Sequence, residues 1–470
     1  MVPRFSPYYE EGGGKGARCR RPFSLASPLP RQRRESIGVL LVPPLAPRRE
    51  VFAWAMYDFA NSGYTTVVLT TIFNAYFVGV VAGEASGFPA GLGTLLWTVA
   101  VSVPNAVVLV SAPILGAIAD HYAAKKRLLA ITTIGCVVCT GLLALAGPGD
   151  VWLAMSLVVL SNLMFATGEN LIAAFLPEIS HQDDMGRVSA YGWALGYCGG
   201  LIVLGVCLAY VTWGQNHGLD ATQYVPVTML IVAVSFALAA TPTFRWLKER
   251  AIPVSLGHGE QSLHIGFTRL RRTMAESRRF RDLWRFLMAL TIYYCGINTV
   301  VVLAAVYAQE VMGFSTSDTI VLVMVVNVSA AVGALLFGQV QDRLGSVPTL
   351  AVTLLIWIAA TTLAFWTDSR AGFWLVANLV GMALGSSQAS GRALIGQFSP
   401  KARAAEFFGL WGLAGKLAAI VGPLSYGLIT YCTAGNHRLA ILSTVLFFVV
   451  GLIILATVNE SRGRAAARSE

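Results

Sequence analysis

The sequence predicts an all-α membrane protein whose twelve transmembrane helices form two six-helix halves. Its composition is 56% hydrophobic and only 12% charged, whereas soluble domains carry about 25% charged residues. Its apolar runs reach the roughly 20 residues that an α-helix needs to cross a hydrocarbon core. A polar, basic segment divides these runs into two sets of six. A soluble globular protein is therefore excluded.

The twelve predicted spans are bounded by glycine, proline and charged residues. They fall near 52–81, 92–118, 127–146, 151–176, 187–211, 224–246, 282–309, 318–340, 348–366, 372–396, 405–431 and 438–457. We expect residues 51–246 to form the N-terminal half, 282–458 the C-terminal half, and 247–281 the linker between them. Residues 1–50 are interpreted as a disordered basic tail and residues 459–470 as a second tail.

The distribution of positive charge predicts the orientation, because cytoplasmic loops are enriched in lysine and arginine. All but four of the 34 lysine and arginine residues fall on the side that carries both tails and the linker. Arg370 and Arg438 lie on the opposite side, and Arg392 and Lys416 lie within spans. Both termini are therefore predicted to be cytoplasmic, in a multi-pass protein of a bacterial inner membrane. Topology and contact with lipid explain the net charge of +10, so no nucleic-acid partner is implied.

An internal repeat relates the two halves. The end of the second span, 116-GAIADHYAAKKR-127, aligns with the end of the eighth, 338-GQVQDRLGSVP-348. The aligned pairs include Gly116 with Gly338, Asp120 with Asp342 and, near the beginning of the fifth and eleventh spans, Arg187 with Arg403. Such repeats in transporters place a substrate site at the interface of the halves, near the middle of the membrane.

These motifs resemble a known family. The second copy has Gly338, Asp342, Arg343 and Gly345 in the pattern of the major facilitator superfamily loop motif, and the first copy is followed by Lys125, Lys126 and Arg127. Three longer stretches are similar to the branch known as the autophagy-related vacuolar effluxer-like, or unknown major facilitator, family. They are WAMYDFANSGY (54–64), FLPEIS…GRVSAYGWALGYCGG (175–200) and GSSQASGRALIGQFSPKARAAEFFGLWGLAGKLAAIVGPLSYG (385–427).

The resemblance implies a secondary transporter that works by alternating access. Fungal members of the family are described as exporting amino acids from the vacuole, so amino acid export, coupled to protons, is the first hypothesis. One alternative is a permease for a sugar, a peptide or a drug. The other alternative is a membrane sensor or scaffold that transports nothing. We predict no enzyme activity, because no nucleophile, base and orienting group cluster on one face, and we expect no cofactor. The stretch GLAGKLA (412–418) lacks the glycine and Ser/Thr of a phosphate loop, so an ATP-driven pump is not expected. The expected state is a monomer.

Four ionisable residues lie inside predicted spans, where each costs about 2.5–3.5 kcal/mol on insertion scales and is a functional candidate by default. Asp58 and Glu169 belong to the N-terminal half, and Arg392 and Lys416 to the C-terminal half. Two anions facing two cations suit a zwitterion: Lys416 or Arg392 would bind a carboxylate, and Glu169 or Asp58 an ammonium group or a coupling proton. Alternatively, the four residues pair with one another as locks between the halves.

Depth in the membrane separates these candidates. Lys416 is the deepest charge, so Glu169 and Lys416 are the stronger candidates for solute binding, and the shallower Asp58 and Arg392 suit a gate or a proton relay. The polar neighbours Asn61, Asn170 and Gln388 are further candidates, although hydrogen bonding between helices is the default role for such residues. Packing is the default role of Tyr57, Tyr64 and Trp193, and of the glycines spaced along the fifth and eleventh spans, Gly192, Gly196, Gly200, Gly409, Gly412 and Gly415.

The repeated loop motif is predicted to form a conformational gate. The resemblance implies that Asp120 meets the eleventh helix and Asp342 the fifth, with Arg187, Arg403 and Glu406 nearby. An acidic group at the positive N-terminus of a helix from the other half would disfavour opening on that side. Such contacts bias an equilibrium between two states without touching the solute.

Overall fold

The computed structural model describes residues 46–121, 123–180, 185–250, 280–399 and 404–468. These residues form helices and short connections, and each long helix overlaps one of the twelve predicted spans. The long helices are α1 (Arg48–Val81), α2 (Leu92–His121), α3 (Lys125–Leu142), α4 (Val151–Ala173), α5 (Met185–Asn216), α6 (Ala221–Trp246), α7 (Arg281–Glu310), α8 (Thr316–Leu344), α9 (Ser346–Trp366), α10 (Arg370–Phe398), α11 (Ala404–Cys432) and α12 (His437–Leu455).

Within the described chain, eleven of these helices are long and apolar enough to cross a membrane. The helix α10 falls short of this hydropathy because its second half contains the polar run 385-GSSQASGR-392. Ser386 and Ser387 in this run are fully buried, and their hydroxyls donate to backbone carbonyls one turn earlier. The polar face of α10 is thus turned towards protein.

The helix α1 is irregular, with π-helical segments at Thr65–Thr71 and Phe77–Val81. The hydroxyl of Thr65 lies 3.2 Å from the carbonyl oxygens of both Asn61 and Ser62, and such side-chain bonds compete with the regular backbone ladder. Short π-helical turns are frequent at functional sites. The first segment directly follows the WAMYDFANSGY motif and supplies wall residues of the cavity described below.

Glycines allow α5 to pack closely on α1, as their spacing predicts. A Cβ atom at Gly199 would lie 2.4 Å from the carbonyl oxygen of Phe59, and one at Gly196 would lie 2.9 Å from a serine hydroxyl of α1. The packing prediction is therefore confirmed for α5. It does not hold for Gly409 and Gly412 of α11, because a Cβ atom at either position would meet no atom within 4 Å.

Both predicted tails contain helical residues in the part of the chain that the structure describes. The first helix begins at Arg48, inside the predicted tail 1–50, and Glu50 is buried against Arg250 with 2.8 Å between the paired N and O atoms. This partner lies 200 positions away, so no local pattern reveals it. At the other end, a helix labelled α13 (Glu460–Arg468) follows α12.

The segments that follow α6 and α12 cap a helix in the same manner. A carboxylate of Glu249 accepts hydrogen bonds from the first two backbone amides of α3, at 2.7 and 3.2 Å. Glu460 accepts from the first two backbone amides of α9, at 3.1 and 2.9 Å. These amides have no partner within their own helix, and the helix dipole favours negative charge there. The internal repeat thus extends to the capping contacts of both halves.

We expect Glu460→Ala to destabilise the protein by about 1–2 kcal/mol, since it removes a charged cap from the N-terminus of α9. The measurement is the thermal unfolding of the purified protein in detergent. The exposed Ser461, which bonds only to its neighbour Asn459 at 2.8 Å, offers Ser461→Ala as the control. Equal melting temperatures for the two variants would show that the cap contributes nothing.

Candidate solute-binding cleft

The two strongest candidates from the sequence meet in the structure. The ammonium group of Lys416 on α11 lies 3.2 Å from Oε2 of Glu169 on α4. The helix α4 belongs to the first six helices and α11 to the last six, so this ion pair joins the two halves. Lys416 is 25% exposed and Glu169 is 48% exposed, which leaves both groups accessible to a solute.

Arg392 has an aromatic environment. Its guanidinium carbon lies 4.5 Å from the ring centre of Trp193 on α5 and 5.8 Å from that of Trp411 on α11. These are cation–π contacts, and the one with Trp193 crosses between the halves. Packing was the role expected for Trp193, but it does not fully describe this residue. The side chain is 44% exposed, and its ring contacts the guanidinium group of Arg392. Arg392 therefore bridges the halves by stacking, where Lys416 does so by an ion pair.

Asp58 lies on α1 beside the contact with α5. Its Oδ2 is only 2.2 Å from the position that a Cβ atom would take at Gly192, so glycine leaves the space that the carboxylate occupies. Asp58 is half-buried and close enough to Glu169 for the two negative charges to interact. Asn61, one turn later, is buried with its Oδ1 unbonded. The carboxylate and the amide thus form a polar strip along α1.

A cavity of about 200 Å³ lies between the halves. Gln388 lines it, as its position one turn before Arg392 suggested, whereas Asn170 is exposed and is not part of its wall. The polar and aromatic wall residues are Ser62, Thr65 and Thr66 from α1, Trp193 and Tyr197 from α5, Asn327 from α8 and Gln388 from α10. The cavity can therefore offer several uncharged hydrogen-bonding groups to a small solute.

Sequence reasoning missed most of the uncharged wall residues. Threonine, asparagine and tyrosine are common in membrane helices, so their presence in a span does not distinguish a cavity wall from a packed interface. The one available signal was spacing. Thr66 falls two turns after Asp58, and Gln388 one turn before Arg392, so each shares a face with a charged residue.

The predicted gate residues that the structure describes lie near the ends of helices, on the side of the protein where α1 begins and α12 ends. We call this side the termini face. Lys125 contacts Glu178 at 3.0 Å, and the ammonium group of Lys126 donates to the backbone carbonyl of Leu247, the residue after α6, at 2.6 Å. The other described members are Gly116 in α2, Gly338 in α8, the exposed Arg127 and Arg343, and Gly345 at the end of α8, where φ is 92°.

The remaining gate residues fall where the structure gives no side-chain placement. This applies to Asp120, Arg187, Asp342 and Glu406, and Arg403 lies outside the described residues. The gate accordingly stays a prediction.

The described contacts between the halves include a group at the face opposite the termini, which we call the opposite face. The Asn74 side chain of α1 donates to the carbonyl oxygen of Val302 of α7 at 2.8 Å. The hydroxyls of Tyr224 and Thr316 lie 3.0 Å apart, joining the starts of α6 and α8. These bonds join the two halves at the opposite face.

Comparison with known proteins gives the family. Residues 94–468 match the family described as vacuole effluxer Atg22 like. The uncharacterized MFS-type transporter YxiO of Bacillus subtilis (strain 168) is 29% identical over 418 residues, which cover 87% of this chain and 94% of that protein. Autophagy-related protein 22 of Yarrowia lipolytica is 27% identical over 339 residues, which cover 65% of this chain and 56% of that protein.

Solved structures agree on the fold. A point mutant of the nucleoside transporter NupG superposes with a TM-score of 0.67 at 12% identity, covering 87% of this chain and 99% of that one. The inward open conformation of the xylose transporter XylE from E. coli gives 0.60 at 14% identity, covering 87% and 95%. With the family match spanning most of the chain, the protein belongs to the Atg22-like vacuole effluxer family and is a multi-pass membrane transporter of the major facilitator superfamily.

Proposed function

We propose that the protein is a secondary active transporter that moves a small zwitterionic solute, with an amino acid as the first candidate. The main support for this proposal is the ion pair between Lys416 and Glu169, which joins the two halves. The polar cavity also lies between the halves, although neither residue of the pair lines it. The carboxylate of a zwitterion takes the place of Glu169 on Lys416, and its ammonium group takes the place of Lys416 on Glu169. Binding therefore replaces the direct contact between the halves with a solute that contacts each half once.

Alternating access follows from this exchange. A solute held by both halves favours the state in which they approach each other around it, because a ligand shifts an equilibrium by its difference in affinity for the two states. Proton coupling is proposed for Glu169 or Asp58, the two acidic residues within spans of the N-terminal half, because ionisable groups inside membrane helices often form proton relays. Export is the proposed direction, with both termini in the cytoplasm, by analogy with the family.

A neutral sugar-like solute is the second candidate, because the cavity wall itself is uncharged. Asn327, Gln388 and the threonines of α1 offer hydrogen bonds, and Trp193 offers a ring face for stacking. In this case Lys416 and Glu169 stay paired and serve as a lock between the halves. The two candidates differ in whether the charged pair touches the solute.

A thermal-shift screen separates them. We expect amino acids to raise the melting temperature of the purified protein, because a ligand that binds the native state stabilises it, and sugars and short peptides to leave it unchanged. Liposomes that contain the protein should then accumulate or release the responding amino acid when a pH gradient is imposed. Absence of flux from correctly folded protein, with every solute class and either gradient, would favour a membrane sensor instead.

A further inference from the structure

A second polar cavity lies between the halves at the opposite face. It has a volume of about 370 Å³ and shares no lining residue with the cleft described above. The end of α1, the connection to α2 and the start of α2 form one wall, and the end of α7 with the connection between α11 and α12 forms the other. Small-molecule sites occupy about 300–1,000 Å³, so the cavity is large enough for an organic ligand.

Two carboxylates, one from each half, face this cavity. Glu84 lies in the turn that follows α1, and Glu310 is the last residue of α7. Oε1 of Glu310 reaches over α1, 3.2 Å from the position of a Cβ atom at Gly79. Among the described residues neither glutamate has a salt-bridge partner, and Arg438, next to the lining residue His437, is held by Asp368 at 2.5 Å. Among the described residues, the cavity is thus lined by two carboxyl groups that have no salt-bridge partner.

A buried hydroxyl adds an independent sign of a ligand. Thr94 lines the cavity and is fully buried, yet its Oγ1 has no hydrogen-bond partner. Thr98, one turn later, donates to the carbonyl oxygen of Leu95 at 2.8 Å in the ordinary way. A buried polar group without a partner costs about 1–3 kcal/mol. A ligand that bonds to Thr94 would recover this cost.

We propose that this cavity binds a small organic cation through a primary ammonium group. An ammonium group has three donors and no acceptor, which matches two carboxylates and a hydroxyl oxygen. A bare metal ion fits less well, since its volume is a small part of the cavity. In addition, the described residues contain no group of three His, Cys, Asp or Glu side chains arranged to hold a metal.

Binding at this site should depend on the conformation of the protein. Glu84 and Glu310 belong to different halves, so they separate when the opposite face opens, and the site is complete only while that face is closed. A bound cation removes the repulsion between them and therefore stabilises the closed state. The binding claim is independent of the solute carried by the central cleft, so it stands or fails apart from the proposed transport.

Thermal unfolding of the full-length protein with ethylammonium chloride tests the proposal. We expect a rise in melting temperature that saturates with concentration, and an apparent Kd that is about fivefold weaker in Glu310→Gln, the upper limit for an exposed ion pair. Thr94→Val should weaken binding too, while it keeps the shape of the side chain. Glu169→Gln should retain the response, because it alters only the central cleft.

Two results would overturn the proposal. The first is an ethylammonium response that is lost in Glu169→Gln and unchanged in Glu310→Gln, which would assign the cation to the central cleft. The second is an equal response to sodium chloride at the same concentration, which would assign the site to an inorganic cation. The melting temperature of each variant without ligand, compared with the wild type, verifies that a lost response reflects binding and not misfolding.

Discussion

Lys416→Ala is expected to abolish the stabilisation that an amino acid gives to the native protein. The ammonium group of Lys416, which pairs with Glu169 in the structure, is the group proposed to bind the solute carboxylate. Its removal leaves that carboxylate without a charged partner. A hydrogen bond to a charged group contributes about 1.5–3 kcal/mol, which corresponds to a loss of about 10- to 100-fold in affinity. At ligand concentrations near the wild-type Kd, no shift in melting temperature should remain.

The unliganded protein should tolerate this change. Glu169 is 48% exposed, so the carboxylate left behind remains hydrated, and exposed ion pairs contribute only about 0–1 kcal/mol. Lys248→Ala is the matched control, because Lys248 is an exposed lysine that follows α6, outside the cleft. A variant Lys416→Ala that still responds to amino acids at wild-type concentrations would contradict the carboxylate clamp and favour the neutral-solute alternative.

Glu169→Gln refines the same test. This change frees Lys416 from its partner, so a probe with a carboxylate and no ammonium group, such as propionate, should bind more tightly than to the wild type. An amino acid should bind more weakly, because its ammonium group loses the charge of Glu169. Opposite effects on the two probes identify competition between the solute and the ion pair. Equal effects would show that the pair acts only as a lock.

The helices were predictable because their cause is local. An apolar run long enough to cross the hydrocarbon core is visible in the sequence. The first helix differs from its prediction only at its N-terminal end, where Glu50 forms an ion pair with the distant Arg250. The positions of the four charges within spans were predictable for the same reason. That Glu169 and Lys416 pair was one of two alternatives weighed from the sequence.

Contacts between distant helices could not be predicted. Trp193 precedes Arg392 by almost 200 positions, and nothing in either segment indicates that the ring lies under the guanidinium. The same holds for three other features: the helix caps formed by Glu249 and Glu460, the hydrogen bond from Asn74 to α7, and the cavity at the opposite face. Each depends on how helices are placed side by side, which hydrophobic periodicity leaves undetermined.

Gly385→Ala should be among the most destabilising single substitutions in the C-terminal half. A Cβ atom at this position would lie 1.8 Å from the carbonyl oxygen of Ala330, 2.6 Å from its carbonyl carbon and 2.9 Å from its Cα. All three atoms belong to the backbone of α8, so no change of side-chain rotamer relieves the overlap. The helices α8 and α10 must move apart, at a cost of about 3 kcal/mol.

Gly396→Ala, on the same helix, is the matched control. Its Cβ atom would meet its nearest neighbour, Cζ of Phe408, at 3.8 Å, which is ordinary contact. Because alanine favours a helix over glycine by up to about 1 kcal/mol, this variant should be at least as stable as the wild type. The measurement is the melting temperature in detergent together with the yield of folded protein. Similar values for the two variants would contradict the close packing of α8 on α10.

The same substitution links stability to function. Gln388 lies one turn and Arg392 two turns beyond Gly385, so a displaced α10 moves a wall residue of the cavity and the guanidinium that stacks on Trp193. We therefore expect any Gly385→Ala protein that folds to lose solute-induced stabilisation as well, whereas Gly396→Ala keeps it. A residue that touches no solute would then control binding, because the charge positions in the cleft depend on how closely two backbones approach.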